Sequence, residues 1–206
     1  KSDMHLWIKN SKRWLIRLIE KPHAAMSIIY VKGSHEIYFS DRMVLVVANK
    51  AKTNAMRILH SAGIQYRVVT YEVDEKDLSG VHVAQTCGLP VDQVYKTLVL
   101  RGDKAGNLVA VLPVEMELDL KALAILSGNK KVEMIAVKDL LPLTGYIRGG
   151  CSPVGMKKTF PTYVEESAIL CEWISVSAGV RGVQLLLNPE ELILHLHAKT
   201  GDIVMR

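Results

Sequence analysis

Thr144-Gly145-Tyr146-Ile147-Arg148-Gly149-Gly150-Cys151-Ser152-Pro153-Val154-Gly155-Met156-Lys157-Lys158 is the stretch on which the reading of this chain turns. It holds four glycines, Gly145, Gly149, Gly150 and Gly155. Glycine tolerates positive φ and lets another molecule approach the main chain closely. The clustered N–H groups of a glycine-rich turn can cradle an anion or a carbonyl oxygen. Arg148, Lys157 and Lys158 set positive charge beside it. A tight structural loop between strands would show the same glycines, so the flanking sequence has to decide between the two readings.

Upstream of the loop, residues 53–62 repeat apolar residues at helical spacing and stop at Gly63. Residues 65–71 read as a strand, 81–87 as a short helix closed by Gly88, and 94–100 as a strand that contains Lys96. Asp103-Lys104-Ala105-Gly106-Asn107 is a turn, and 108–113 the strand that pairs back. Asp119 is the expected N-cap of a helix running to Ser127, followed by a strand at 132–135 and a short helix at 137–141. Beyond the loop, 162–164, 168–176 and 183–187 read as strands. Asn188-Pro189-Glu190-Glu191 then opens a last helix. Strands and short helices mix without a regular βαβ alternation, which argues for an α+β fold with a mixed sheet rather than a doubly wound parallel one.

The chain has 206 residues, 49% of them hydrophobic and 23% charged, the composition of a globular domain carrying an appendage. No apolar run approaches a membrane span, and residues 1–25 lack the uninterrupted apolar core of a secretory signal. Cys87, Cys151 and Cys171 are three, without a Cys-x-x-Cys pair, so a disulfide framework is not expected and a reducing cytoplasm is the default setting. His195-x-His197 has no carboxylate or thiol partner at ligand spacing, so neither a metal nor another cofactor is expected. Residues 1–42 hold eight Lys/Arg and four Asp/Glu, leaving 18 basic and 17 acidic residues for the remainder. Most of the formal net charge of +5 therefore sits in the N-terminal segment, and it says little about nucleic-acid binding by the main domain. We divide the chain into an N-terminal extension, residues 1–48, and a main domain, 49–206. In the extension, helical spacing over 6–19 and a hairpin from 27–31 and 36–39 are expected.

Among residues able to carry chemistry, Lys96 interrupts an apolar strand, where lysine is depleted and seldom buried without a partner. It either faces solvent or points into a pocket to polarise a carbonyl or hold a phosphate. Cys151 invites a thiolate reading, but no histidine lies near it in sequence. Gly150-Cys151-Ser152-Pro153-Val154 is not the Gly-x-Ser-x-Gly elbow, and Pro153 breaks the turn-to-helix geometry that such an elbow requires. Ser177-Ala178-Gly179-Val180-Arg181-Gly182 is a second glycine-bearing turn, able to close one side of a pocket or to serve as a plain hairpin. Neither turn is a phosphate loop of the Gly-x-x-x-x-Gly-Lys-Ser/Thr kind.

Lys52-Thr53-Asn54-Ala55-Met56-Arg57, Tyr95-Lys96-Thr97-Leu98, Leu118-Asp119-Leu120-Lys121, Thr144 to Pro153, and Val176 to Gly182 occur in that order. Together they resemble the YbaK/EbsC family of Cys-tRNA(Pro) deacylases, related to the editing domain of prolyl-tRNA synthetases. The resemblance covers about residues 50–206. It implies a compact barrel-like mixed sheet flanked by helices, and an enzyme that clears cysteine mischarged on proline tRNA. It also implies site positions: Lys96 and Gly149 in catalysis, with Tyr71, Ser79, Thr144, Gly145, Tyr146, Gly150, Cys151, Ser152, Ser177, Gly179 and Arg181 around the substrate. Ser79 departs from the aromatic residue often found there, and Gln184 stands near a position sometimes held by Asp.

The resemblance further implies that the substrate's own thiol attacks its ester, so that the activity classes as a hydrolase or, from its cyclising step, as a lyase. The implied partner is an aminoacyl-tRNA, with prolyl-tRNA synthetase as a candidate helper and no membrane. Editing of Ala-tRNA(Pro) with an activated water, or aminoacyl-tRNA binding without catalysis, are the alternative readings.

Overall fold

The computed structural model describes residues 52–205 and, ahead of them, the backbone of four strands. The chain divides into two compact units, Lys1–Ala51 and Lys52–Arg206. In the first unit β1 (Ile16–Ile19), β2 (Met26–Val31), β3 (His35–Ser40) and β4 (Met43–Leu45) pair antiparallel in that order. The expected hairpin lies at β2–β3, with Ser27 opposite Phe39 and Val31 opposite His35. The helix expected over 6–19 is corrected at its end, because Ile16–Ile19 is a strand paired with β2. A short Ile-Arg-Leu-Ile run fits both periods, and its β-branched residues suit a strand when a partner edge is available. Residues 6–15 lie outside the described residues.

The second unit runs α1 (Asn54–Ser61), β5 (Tyr66–Thr70), α2 (Gly80–Cys87), β6 (Tyr95–Gly102), β7 (Gly106–Pro113), α3 (Leu120–Ser127), β8 (Val132–Met134), α4 (Val137–Thr144), β9 (Thr162–Glu165), β10 (Ile174–Ser177), β11 (Val183–Leu187), α5 (Pro189–Leu196) and β12 (Lys199–Gly201). The helices α1, α2, α3 and α5 begin where side chains satisfy orphan amides. Thr53 accepts from Met56 N (3.2 Å), Ser79 from His82 N (3.2 Å), Asp119 from Lys121 N (2.8 Å) and Ala122 N (3.0 Å), and Asn188 from Glu191 N (3.0 Å). Gly88 and Gly128 end α2 and α3 in the left-handed region, while His197 does the same for α5 at φ 49°.

Two sheets follow, β10-β11-β5 and β12-β9-β7-β6-β8. The first is antiparallel throughout, and in the second β9 runs parallel to both β7 and β12. The fold is mixed α+β, as expected, but the strands do not close into the barrel-like sheet that the resemblance implied. β8 is short and covers β6 only from Leu100 to Gly102, and the sheets meet through the parallel bridge Val94–Ser175. The strand expected over 168–176 is also corrected: Glu166–Leu170 is a 3₁₀ turn, and extended pairing starts at Ile174. Ala168 is buried while Leu170 is 84% exposed, so that apolar run does not share one face.

The core forms on both faces of the larger sheet. Tyr95, Val99, Val109 and Val111 pack with Ala55 and Leu59 of α1 and with Val176, Leu185 and Leu192. On the other face Leu98, Leu100, Leu108, Ala110 and Leu112 meet Leu123 of α3 and Ile203. β7 therefore buries successive residues from Leu108 to Pro113, which is why it reads as a continuous apolar run. Leu185, fully buried at the centre of the middle strand of the smaller sheet, tests this packing. Leu185→Ala is expected to cost about 2–5 kcal/mol of stability, read as a lower midpoint with an unchanged slope in urea unfolding.

Candidate functional site

A cavity of ≈ 570 Å³ opens beside β6 where that strand lacks a neighbour. Ile135 N reaches Val99 O (3.3 Å), so odd-numbered residues of β6 turn their main-chain groups away from β7. Between this contact and the bridge at Val94, the main-chain edge of Thr97 faces the opening. The opposite walls come from the two glycine-bearing turns, through Arg148, Gly149, Cys151 and Ser177, and from Leu78 and Ser79 ahead of α2. Met134, Val137 and Leu140 form an apolar side.

Lys96 lines this cavity. It is half-buried rather than out in solvent, and its ammonium donates to Val114 O (3.1 Å) and Met116 O (2.5 Å). Two carbonyls thus hold the group, and an ammonium has three protons to give. Burial lowers its pKa, a shift opposed by the negative charge of Glu117. A fixed, partly desolvated ammonium of this kind can meet negative charge developing on a reacting carbonyl.

Gly149 sits at the third position of a turn closed by Gly150 N donating to Ile147 O (3.0 Å), with φ +81°. That positive φ marks a type II turn, which places glycine at this position. Arg148 also reaches the cavity, and its side chain makes no ion pair among the described residues. Cys151 lines the wall, but burial pushes its thiol up to about 12. It is therefore protonated near neutral pH and a poor nucleophile, and no histidine lines the cavity to activate it.

Of the other positions named from the sequence, Ser79 and Ser177 reach the cavity with their hydroxyls engaged. Ser79 caps α2, and Ser177 accepts from Gly179 N (3.2 Å). Tyr71, Thr144, Gly145, Tyr146, Gly150, Ser152, Gly179 and Arg181 do not line it. They build the loop from behind. Thr144 Oγ1 donates to Leu140 O (2.7 Å) and accepts from Tyr146 N (3.0 Å), and Gly145 ends α4. Tyr146 donates to Val154 O (2.6 Å), and the buried Ser152 accepts from Val154 N (3.2 Å). Tyr71 N donates to Gly182 O (3.0 Å).

Sequence reading passed over Thr97, whose buried hydroxyl has no partner among the described residues, and gave Gln184 no part in the site. Gln184 lines the cavity and accepts from Ser175 Oγ (3.1 Å). Its sequence signals are an amide inside an apolar strand and its nearness to the family position sometimes held by Asp. Among the described residues no group of three His, Cys, Asp or Glu could hold a metal, and no helix is long and apolar enough to cross a membrane.

The chain is similar to known proteins in both sequence and fold. A family model described as "Aminoacyl-tRNA editing domain" matches residues 78–194. A protein of Enterococcus faecalis (strain ATCC 700802 / V583), named "Putative Cys-tRNA(Pro)/Cys-tRNA(Cys) deacylase EbsC", is 48% identical over 155 residues, 75% of this chain and 94% of that protein. A crystal structure of "a putative trans-editing enzyme for prolyl tRNA synthetase" is similar in fold, with a TM-score of 0.66 at 24% identity over 74% of this chain and 96% of that one. The structure of "hypothetical protein APE2540" is similar too, with a TM-score of 0.68 at 20% identity over 74% of this chain and 99% of that one.

The Tyr146 hydroxyl gives a direct check on the loop's interior. Tyr146→Phe leaves Val154 O without its donor, and should cost about 1–3 kcal/mol of stability in denaturant unfolding.

Proposed function

The chain belongs to the aminoacyl-tRNA editing domain family, and from that premise we propose that it hydrolyses cysteine from mischarged Cys-tRNA(Pro), with Cys-tRNA(Cys) as a second substrate. The observation that carries the reading is the meeting of Lys96 and Gly149 on one cavity of ≈ 570 Å³. That volume is within the range of small-ligand sites and suits an aminoacyl ester with part of its terminal nucleoside. The name of the E. faecalis relative supports the same substrates.

A pocket alone selects poorly for a short side chain, since one methylene is worth only about 1–3 kcal/mol. Chemistry that uses the substrate's own thiol adds the missing discrimination. In this route the cysteine sulfur attacks the ester carbonyl carbon, the carbon–oxygen bond to the tRNA breaks, and the ribose hydroxyl leaves with a proton. Water then opens the cyclised cysteine. The protein supplies no nucleophile, which agrees with the protonated Cys151. Lys96 donates to the carbonyl oxygen as charge develops, and the Gly149–Cys151 main chain holds the ester. The net reaction is a hydrolysis, and we do not carry the lyase classification forward.

Lys96→Ala should lower the single-turnover rate on Cys-tRNA(Pro) by about 100-fold or more, the usual loss for one such donor. Cys151→Ala should stay within about threefold of the parent. A folded but inactive Cys151→Ala protein would overturn the mechanism in favour of a thiolate. The parent's profile against pH should rise as the substrate thiol ionises. It should fall again below the ordinary lysine value of 10.5, because burial lowers the pKa of Lys96 and the donor is lost early.

The deciding experiment is a panel of Cys-tRNA(Pro), Ala-tRNA(Pro) and Cys-tRNA(Cys), with and without prolyl-tRNA synthetase. Release of cysteine but not alanine supports the proposal. Equal release of alanine would call for an activated water, and saturable binding without release would indicate a non-catalytic module. With 18 basic and 17 acidic residues beyond position 42, the chain alone should bind tRNA weakly and with strong salt dependence.

A further inference from the structure

The Arg181 guanidinium joins three segments around the cavity without lining it. Its Nε donates to Arg148 O (2.9 Å), and one Nη donates to Glu75 Oε2 (2.6 Å). Arg148 O belongs to the central peptide of the Ile147–Gly150 turn. That peptide can take two orientations, the type I and type II forms, which differ by a flip of about 180°. In a trans peptide the carbonyl and the following N–H point in opposite directions. With Arg148 O drawn toward Arg181, behind the wall, the Gly149 N–H is turned the other way. Among the described residues that N–H makes no hydrogen bond, while Gly149 itself borders the cavity.

We propose that the Glu75–Arg181 pair is a positioning device that holds the Ile147–Gly150 turn in its flipped form and so aims the Gly149 amide at the carbonyl of the bound ester. Arg181, expected from sequence to touch the substrate, acts instead through a peptide it orients. The local packing agrees with this. A Cβ added at Gly149 would stand 3.3 Å from Arg181 Nε, and one at Gly150 would stand 3.1 Å from Arg181 N. The arginine is thus seated directly against the two residues it controls. Glu75 is mostly exposed and Arg181 is one-quarter exposed, so Glu75 serves to orient the guanidinium that donates to Arg148 O. A lysine has one compact ammonium and cannot reproduce the fork.

The inference rests on the deacylase reading for its kinetics but not for its structural test. In the free protein labelled with ¹⁵N, the Gly149 amide signal should be single in the parent and should shift or split in Arg181→Ala, with a smaller change in Glu75→Gln. In single-turnover deacylation, Arg181→Ala should lose tenfold or more in maximal rate, while the half-saturating substrate concentration stays within threefold. Arg181→Lys should recover little of this loss, and added guanidinium ion should restore part of it to Arg181→Ala. A tenfold rise in half-saturating concentration at an unchanged maximal rate would show that Arg181 contacts the substrate, and would overturn the proposal. An unmoved Gly149 amide in Arg181→Ala would overturn it as well. Should Arg181→Ala not fold, the amide signal and rate of Glu75→Gln and Arg181→Lys decide in the same way. If the parent releases no amino acid, the reaction assignment fails, while the amide comparison still decides the role of Arg181.

Discussion

Two turns meet main chain to main chain in this domain, and the site depends on that contact. A Cβ on Gly150 would come within 3.2 Å of Val180 C, and one on Gly179 within 2.6 Å of the Tyr146 ring. The approach at Gly179, which also has φ +91°, excludes a side chain, and the one at Gly150 leaves a Cβ room only if the backbone of the facing turn shifts. Tyr146 then reaches past Gly179 to Val154 O, and Arg181 reaches back to Arg148 O. The result is one continuous wall, to which Arg148, Gly149, Cys151 and Ser177 contribute.

The facing wall arises from an incomplete sheet. An open strand edge is normally a liability, since unpaired amides and carbonyls invite another chain. Here β8 stops short on β6, and the uncovered stretch looks into a cavity bounded by α4, the glycine loop and β10. The same strand supplies Lys96, held by carbonyls just past the end of β7. One short strand therefore creates the opening and leaves the lysine beside it. Burial then sets the chemistry. It lowers the pKa of Lys96, whose ammonium is held by the carbonyls of Val114 and Met116, and it raises that of Cys151, which is a neutral part of the wall.

How legible each part was follows from how local its cause is. Helix boundaries at Asp119 and Asn188 could be read because a cap is a contact between residues two or three apart. The strands β6, β7 and β11 could be read because both faces or one clear face are apolar. Residues 16–19 and 168–176 were misread because a short apolar run fits more than one period, and pairing or exposure decides it. On the cavity, Lys96 stands out in sequence as a charge inside an apolar strand, while Gly149 is singled out from the other loop glycines only by the family motif. Thr97 is an ordinary residue made relevant by its neighbours, and Gln184 is marked locally only as an amide inside an apolar strand.

By itself the sequence settled most of the main domain's elements, the mixed α+β class and the family, since these rest on spacing, caps and motifs along the chain. Only the tertiary structure decided that the sheets stay open, that Lys96 and Gly149 share one hollow, and that Arg181 stands behind the wall instead of in it. The physical reason is separation along the chain. Arg181 meets a carbonyl 33 residues away and a carboxylate 106 residues away, and no local pattern records contacts that only packing creates.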